Sequence, residues 1–215
     1  MPLLPADDPW LQAGQGLQRA RADVVAVSDA DPAVADAAQR ILDWIDGHDD
    51  ALLRSCLAAH LTGSALVVNH DASQVLLLHH TKLQRWLQPG GHADGEGNLA
   101  ATALKEAAEE TGIEGLRIAV PALDLDVHEV APPKEGPHLH MDVRYLVVAP
   151  PGALPQGNHE STALRWVDPA DLDAYEPDPG LRRLIAVGLA AARQLLAADH
   201  PATDDLAAKP ADSGG

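Results

Sequence analysis

The sequence predicts an α+β fold, a sheet flanked by helices, on three observations. Residues 64–69, 74–79, 116–130 and 138–149 carry apolar runs or the period-two alternation of strands. A helix with capping signals at both ends, Asn98 and Gly112, lies in their midst. Apolar stripes at helical spacing stand before and after the whole set. At 215 residues and 46% hydrophobic content, the chain can bury one good-sized domain with extensions. That core must be aliphatic, because phenylalanine is absent and aromatics are 3%.

Charge and cysteine use narrow the classes of partner. A formal charge of −17 opposes a nucleic-acid backbone, which needs clustered Lys and Arg. It leaves room for a small phosphorylated substrate whose charge a bound cation bridges. Cys56 is the sole cysteine, so no intrachain disulfide forms and a reducing compartment fits. No signal peptide is apparent, and no apolar run approaches the roughly 20 residues a membrane helix needs. The expectation is a cytoplasmic protein without a membrane partner.

In chain order, residues 1–60 read as an N-terminal helical extension packing on the core. Asp31-Pro32 supplies a cap and a first-turn proline, and Val34, Ala37, Ala38, Ile41, Leu42 and Ile45 keep helical spacing up to Gly47. A second short helix is expected through Leu52, Leu53, Cys56 and Leu57, with Trp10 and Trp44 as buried anchors. The core domain is expected over 61–198. Its first two strands pair across the turn at Asp71-Ala72-Ser73. His79 to Leu83 is then a loop, and Trp86-Leu-Gln-Pro-Gly-Gly-His92 leads into the central helix. The long strands 116–130 and 138–149 pair antiparallel across a proline-rich loop. A short strand at 162–167 and a brief helix after Asp168-Pro169 follow. The last helix opens at Asp178-Pro179, and its stripe of Leu181, Leu184, Ile185, Leu189, Ala192, Leu195 and Leu196 packs on the core or on a second subunit, which leaves a homodimer open. Residues 199–215 hold scarcely any core formers and are expected to be disordered.

The chain is organised around residues 90–113. Asn98 caps the helix and Gly112 ends it in a conformation that costs glycine little. Leu99, Ala103 and Ala107, with Leu104 beside them, form a face that packs on a sheet. Glu106, Glu109 and Glu110 sit at i, i+3 and i+4, so their carboxylates gather on the opposite side. Like charges at that spacing oppose the helix by about a few tenths of a kcal/mol per pair, and the helix dipole disfavours them in the last turn. A solvated acidic face is one reading. A hard divalent cation held by the three carboxylates is the other.

The flanking residues carry a resemblance. The stretch resembles the Nudix box: G, any five, E, any seven, then R-E-U-x-E-E-x-G-U with U apolar. Gly91 matches the first glycine, Glu106 the glutamate after the arginine, Ala107 the first U, Glu109 and Glu110 the pair, and Gly112-Ile113 the close. The early glutamate position holds Gly97, with Glu96 beside it, and the arginine position holds Lys105. The resemblance implies a Nudix-type α/β/α sandwich with a mixed sheet. It also implies a hydrolase that cleaves a diphosphate linkage in a nucleoside diphosphate joined to another group, by attack of water at phosphorus. Mg²⁺ or Mn²⁺ would be held by Glu106, Glu109, Glu110 and the Gly91 carbonyl. The general base would be Glu109 of the box or Glu160 of a later loop. Gly97 and Lys105 motivate an alternative, a nucleotide-binding or regulatory module with impaired catalysis. An isopentenyl-diphosphate isomerase-like enzyme is a third reading, weakened because Cys56 lies well before the metal loop.

The variable parts must recognise the substrate. His79, His80 and Trp86 precede the box, and His92, Asp94 and Lys105 lie within it. Asp126 and His128 on one long strand, with His138, His140 and Asp142 on the other, alternate onto a single polar face that also takes Asp124. His128 is expected opposite His138, and any even shift of register keeps the set together. An ordinary solvated face, a pocket wall and a second metal site are the three readings of it.

Overall fold

In the computed structural model, which describes residues 1–12, 14, 16–27, 31–132 and 136–199, the alternating segments become strands of one sheet. The elements in order are β1 (Leu3–Pro5), α1 (Leu17–Val25), α2 (Pro32–Gly47), β2 (Ala59–Val68), β3 (Val75–His80), β4 (Trp86–Leu87), β5 (Gly90–His92), α3 (Leu99–Thr111), β6 (Arg117–Val130), β7 (His138–Val148), β8 (Ser161–Val167) and α4 (Pro179–Asp199). A 3-10 helix at Pro169–Tyr175 precedes α4. The strand order is β1-β6-β7-β2-β3-β4, with β5 added on β2 and β8 on β3. β2 and β7 run parallel and the other pairs antiparallel, so the sheet is mixed.

Alternation along the strands divides the core in two. Leu61, Ala65 and Val67 of β2 and Met141, Val143, Tyr145 and Val147 of β7 pack with α1, α2 and α3 on one face. Leu66, Val68, Leu146 and Val148 pack under Leu181, Leu184, Ile185 and Leu189 of α4 on the other. This is the α/β/α sandwich that the sequence predicts. Asp31 accepts from the amides of Ala33 and Val34, and Asn98 accepts from the amide of Ala101, so α2 and α3 begin where their caps stand. Gly112 closes α3 at φ 62°, in the left-handed region.

The first departures lie before β2. Residues 52–57 form turns instead of a helix, leaving Leu57 78% exposed. The Ala51 carbonyl there accepts from Leu61 of β2 and the Leu52 carbonyl from Gly95, so these groups are not available to a helical ladder. Trp10 is 38% exposed, covered by the Arg19 guanidinium 3.9 Å from its ring centre, while Trp44 is half-buried and stacks on His48. β3 runs on through His80 because β8 pairs with it up to His80–Ser161. In the β6–β7 ladder His128 faces His140 and Asp126 faces Asp142, a two-residue shift from the expected register that keeps the polar set on one face. The expected tail at 199–215 lies outside the described residues, apart from Asp199 at the end of α4.

Gly63 lets α3 lie directly on β2. A Cβ there would stand 2.6 Å from the Leu99 carbonyl oxygen, which is backbone and cannot swing away. Gly63→Ala should therefore lift α3 and lower stability by about 1–3 kcal/mol, read as an earlier urea midpoint; an unchanged midpoint would mean that α3 is seated less closely.

Candidate active site

β2 and β3 share one register pair, Val68–Val75, and then part. β2 goes on with β5, while β3 takes β4 and β8. A cleft of about 460 Å³ opens at this fork, a size suited to a small molecule. Its walls include Thr62 and Ser64 of β2, His80 of β3, Gly90 to His92 of β5, Glu106 and Glu110 of α3, and Glu160. His128, His140, Asp142 and Arg144 complete the polar side, and Arg54, Lys82 and Arg85 bring further positive charge.

The glutamates of α3 do not share one exposed patch. Glu110 is buried at 3% exposure, and its Oε2 accepts from the Gly90 amide at 2.9 Å. Burial pushes its carboxyl up to about 8, and the negative charges of Glu106, Glu160 and Glu109 add to the rise. Glu106 lies against Gly91, where a Cβ would stand 2.6 Å from its carboxyl carbon. Glu109 lies outside the cleft lining, more than half exposed, and pairs with Lys105 at 3.3 Å. Lys105 also reaches Glu106 at 3.2 Å, so it offsets two of the acids. The last turn of α3 packs on β5, which is why i+4 turns inward while i+3 faces water.

Gly97 has a local cause. A Cβ there would stand 2.5 Å from the Gly16 carbonyl oxygen and 2.8 Å from that of Gly14. The chain before α1 therefore occupies the place a side chain would need. Glu96 instead accepts from the amides of Gly14 at 2.8 Å and Asn98 at 2.6 Å, tying the loop to the N-terminal segment.

The polar face of the sheet is buried at Asp124, His138, Asp142 and Arg144 and partly buried at Asp126, His128 and His140. Arg144, 3% exposed, donates to Asp142 at 2.8 Å and Asp126 at 2.8 Å, and pairs with Asp124 at 3.4 Å. Arg183 of α4 holds Asp124 from the other side at 3.0 Å, and His128 meets Asp126 at 2.9 Å. Thr62 and Ser64 donate to Asp142, each at 2.8 Å. Burial raises the Asp142 carboxyl, but the Arg144 guanidinium, His128 and the Ser64 hydroxyl together outweigh it and hold Asp142 below the usual range. Burial pushes His140 down to about 3, with His92 and His128 adding to the effect.

The remaining sequence candidates divide by face. His80, His92, His128, His140 and Asp142 line the cleft. His80 Nδ1 accepts from the amides of Lys82 and Leu83, leaving Nε2 as its donor. His79, Trp86, Asp94, Lys105, Asp126 and His138 do not line it. Trp86 packs edge-on to His79 and Tyr175, and Asp94 is gripped by Arg54 through two bonds of 2.7 Å. Glu160 reaches the cleft on a loop tied to α3, where Asn158 donates to the Glu109 carbonyl and its Oδ1 accepts from the Glu160 amide. Sequence reasoning missed Arg144 and His60, although the alternation Asp142-x-Arg144 and His60-x-Thr62-x-Ser64 carried the signal.

The family model for the NUDIX domain matches residues 60–186. Among solved structures, the chain is similar to a C. elegans Ap4A hydrolase in a binary complex, at 20% identity and TM-score 0.52, over 61% of this chain and 96% of that one. It is also similar to a NUDIX-family hydrolase from Clostridium perfringens, at 23% identity and TM-score 0.44, over 63% and 97%. A MutT protein from Methanosarcina mazei Go1 matches at 16% identity and TM-score 0.47, over 67% and 96%. At 20% identity the likeness to the Ap4A hydrolase is one of fold. A comparison with curated protein sequences returned no match. Among the described residues, no helix is long and apolar enough to cross a membrane.

Two outcomes follow from the buried charges. Between pH 4.5 and about 8 the folded chain keeps a proton on Glu110 that the unfolded chain has released. Raising pH across that window should lower the melting temperature of the metal-free protein, and Glu110→Gln should flatten the slope. Arg144→Met strands buried carboxylates and should cost about 3–5 kcal/mol in urea unfolding; a loss under 1 kcal/mol would mean that water takes the guanidinium's place.

Proposed function

The chain belongs to the Nudix family and is a Nudix hydrolase, and we propose that it cleaves a diphosphate linkage in a nucleoside diphosphate joined to another group, with the help of a divalent cation. The observation that carries this reading is Glu110, a carboxylate buried beside Glu106 and Glu160 in the wall of the cleft. Such a cluster is costly unless protonated or neutralised, and its oxygen donors suit a hard cation. The donor set fits Mg²⁺ or Mn²⁺: Glu106 and Glu110 both line the cleft, Glu106 against Gly91, and Glu109 would join on release from Lys105, with the Gly91 carbonyl as a further oxygen donor on this reading. A bound ion would neutralise pyrophosphate oxygens and lower the pKa of a coordinated water.

The chain's own groups supply the rest. Lys82 at the cleft would attract a polyanion despite the acidic net charge, and Arg54 and Arg85 would join it on release from Asp94 and Asp178. His80 offers an Nε2–H donor to a phosphate or sugar oxygen. Glu160 is the favoured base, since it lines the cleft while Glu109 faces outward in a pair with Lys105. The binding-module alternative loses its motive, because Glu96 holds the loop and Lys105 pairs with the box acids. Cys56 is buried and does not line the cleft, which removes support for the isomerase-like reading.

The test is a panel of nucleotide sugars, dinucleoside polyphosphates, ADP-ribose-like compounds and nucleoside triphosphates, with Mg²⁺ or Mn²⁺, followed by product analysis. Turnover of at least one compound is expected. Glu160→Gln should lower kcat by about 10²–10⁴-fold with metal affinity kept, and Glu110→Gln should weaken both. Tight binding with no turnover across the panel would overturn the hydrolytic reading, and a Glu160→Gln loss of only a few-fold would remove Glu160 as the base.

A further inference from the structure

The buried polar face contains a second constellation that the phosphate chemistry does not use. His60 of β2, His92 of β5, and His138 and His140 of β7 each bring one ring nitrogen to a common point, all four lying within 4.8 Å of one another. The sheet dictates this meeting. His60 is the direct neighbour of His140 in the parallel β2–β7 ladder, and His138 is two residues back on the same face. His92 pairs with Thr62 in the β2–β5 ladder, which aligns it with that face too. The rings lie 4.8–5.4 Å apart, centre to centre, around His60.

We propose that His60, His92, His138 and His140 form a closed four-imidazole site for a borderline divalent transition metal, Zn²⁺ foremost, separate from the oxygen-rich cation site of the box glutamates. The hydrogen bonds on the far sides of the rings support it. His138 Nδ1 lies 3.0 Å from the Gly136 carbonyl and His60 Nδ1 lies 3.3 Å from the Cys56 carbonyl. A carbonyl can only accept, so Nδ1 carries the proton and Nε2 keeps a lone pair in each ring. Metal-bound histidines are oriented by this same backbone contact. The Nε2 atoms of His138 and His140 are buried with no hydrogen-bond partner, which ring packing alone leaves uncompensated.

The donor set selects the ion. Mg²⁺ and Mn²⁺ prefer oxygen, whereas imidazole suits Zn²⁺ and its neighbours, and four protein ligands make a closed, structural site. Zn–N bonds of 2.0–2.1 Å in a tetrahedron put nitrogens about 3.3–3.4 Å apart, so small side-chain rotations from the observed spread complete the site. An ion there would pin β5, which carries Gly90 and Gly91, to both β2 and β7. It would thereby act as a positioning element for the box loop.

The full chain, free of any added histidine tag and stripped by a chelator, should be titrated with Zn²⁺ against a chromophoric competitor and separately with Co²⁺. One Zn²⁺ per chain and the intense visible bands of tetrahedral Co²⁺ are expected. The Glu106→Gln/Glu110→Gln double variant should keep both, and His138→Gln should lose more than about 100-fold in affinity, beyond the usual cost of removing an outer-shell partner. Zn²⁺ lost in the glutamate variant but kept in His138→Gln would overturn the assignment. So would a wild-type chain that gives no tetrahedral Co²⁺ spectrum, a result that needs no variant to fold. Neither readout depends on turnover, so failure here leaves the hydrolase reading standing, and the reverse.

Discussion

The contact between the Gly90 amide and the Glu110 carboxylate is what the rest of the cleft depends on. Three glycines remove side chains where the chain passes close to backbone, a hydroxyl and an acid in turn. Gly63 admits α3 onto β2, Gly90 lies against Ser64, and Gly91 lies against Glu106. With these in place the last turn of a helix on one face of the sheet can deliver a carboxylate to the fork between β2 and β3. The acid is then held where water cannot relieve its charge, and a cation becomes its natural partner.

The polar floor follows the opposite logic. Asp124, Asp126 and Asp142 are matched by Arg144, Arg183 and His128, so the burial of charge is compensated inside the protein. Such ion networks rarely add much net stability, but removing one member is costly. The box acids are left short of such partners, apart from exposed Lys105. One cleft thus joins a satisfied wall and an unsatisfied one, and the proposed chemistry is assigned to the latter.

Much of this was legible in the sequence, because local signals suffice for caps and periodicity. Asn98, Gly112, Asp31 and the alternation in β6 and β7 each specify their own element. Residues 52–57 form turns in place of the expected helix because the Ala51 and Leu52 carbonyls are claimed by β2 and the box loop, which no local pattern reports. Glu109 and Glu110 look equivalent at i+3 and i+4, and only the seat of α3 on β5 separates them. The meaning of Gly97 depends on a segment more than 80 residues away in the chain, through the amide of Gly14 and the carboxylate of Glu96. Trp86 stands among the substrate candidates in the sequence, yet in β4 it is Leu87 that lines the cleft while Trp86 packs on Tyr175.

The closed circuit of Arg144 and its aspartates bears on how such a protein diversifies. Every donor or acceptor exchanged in that floor unbalances several others at once, so drift there is met by loss of the fold before any change of preference. The margins at Lys82 to Gln88 and Glu129 to Pro132 line the cleft outside that circuit. Selection for a new leaving group would therefore work on the rim and leave the floor as an inherited constant.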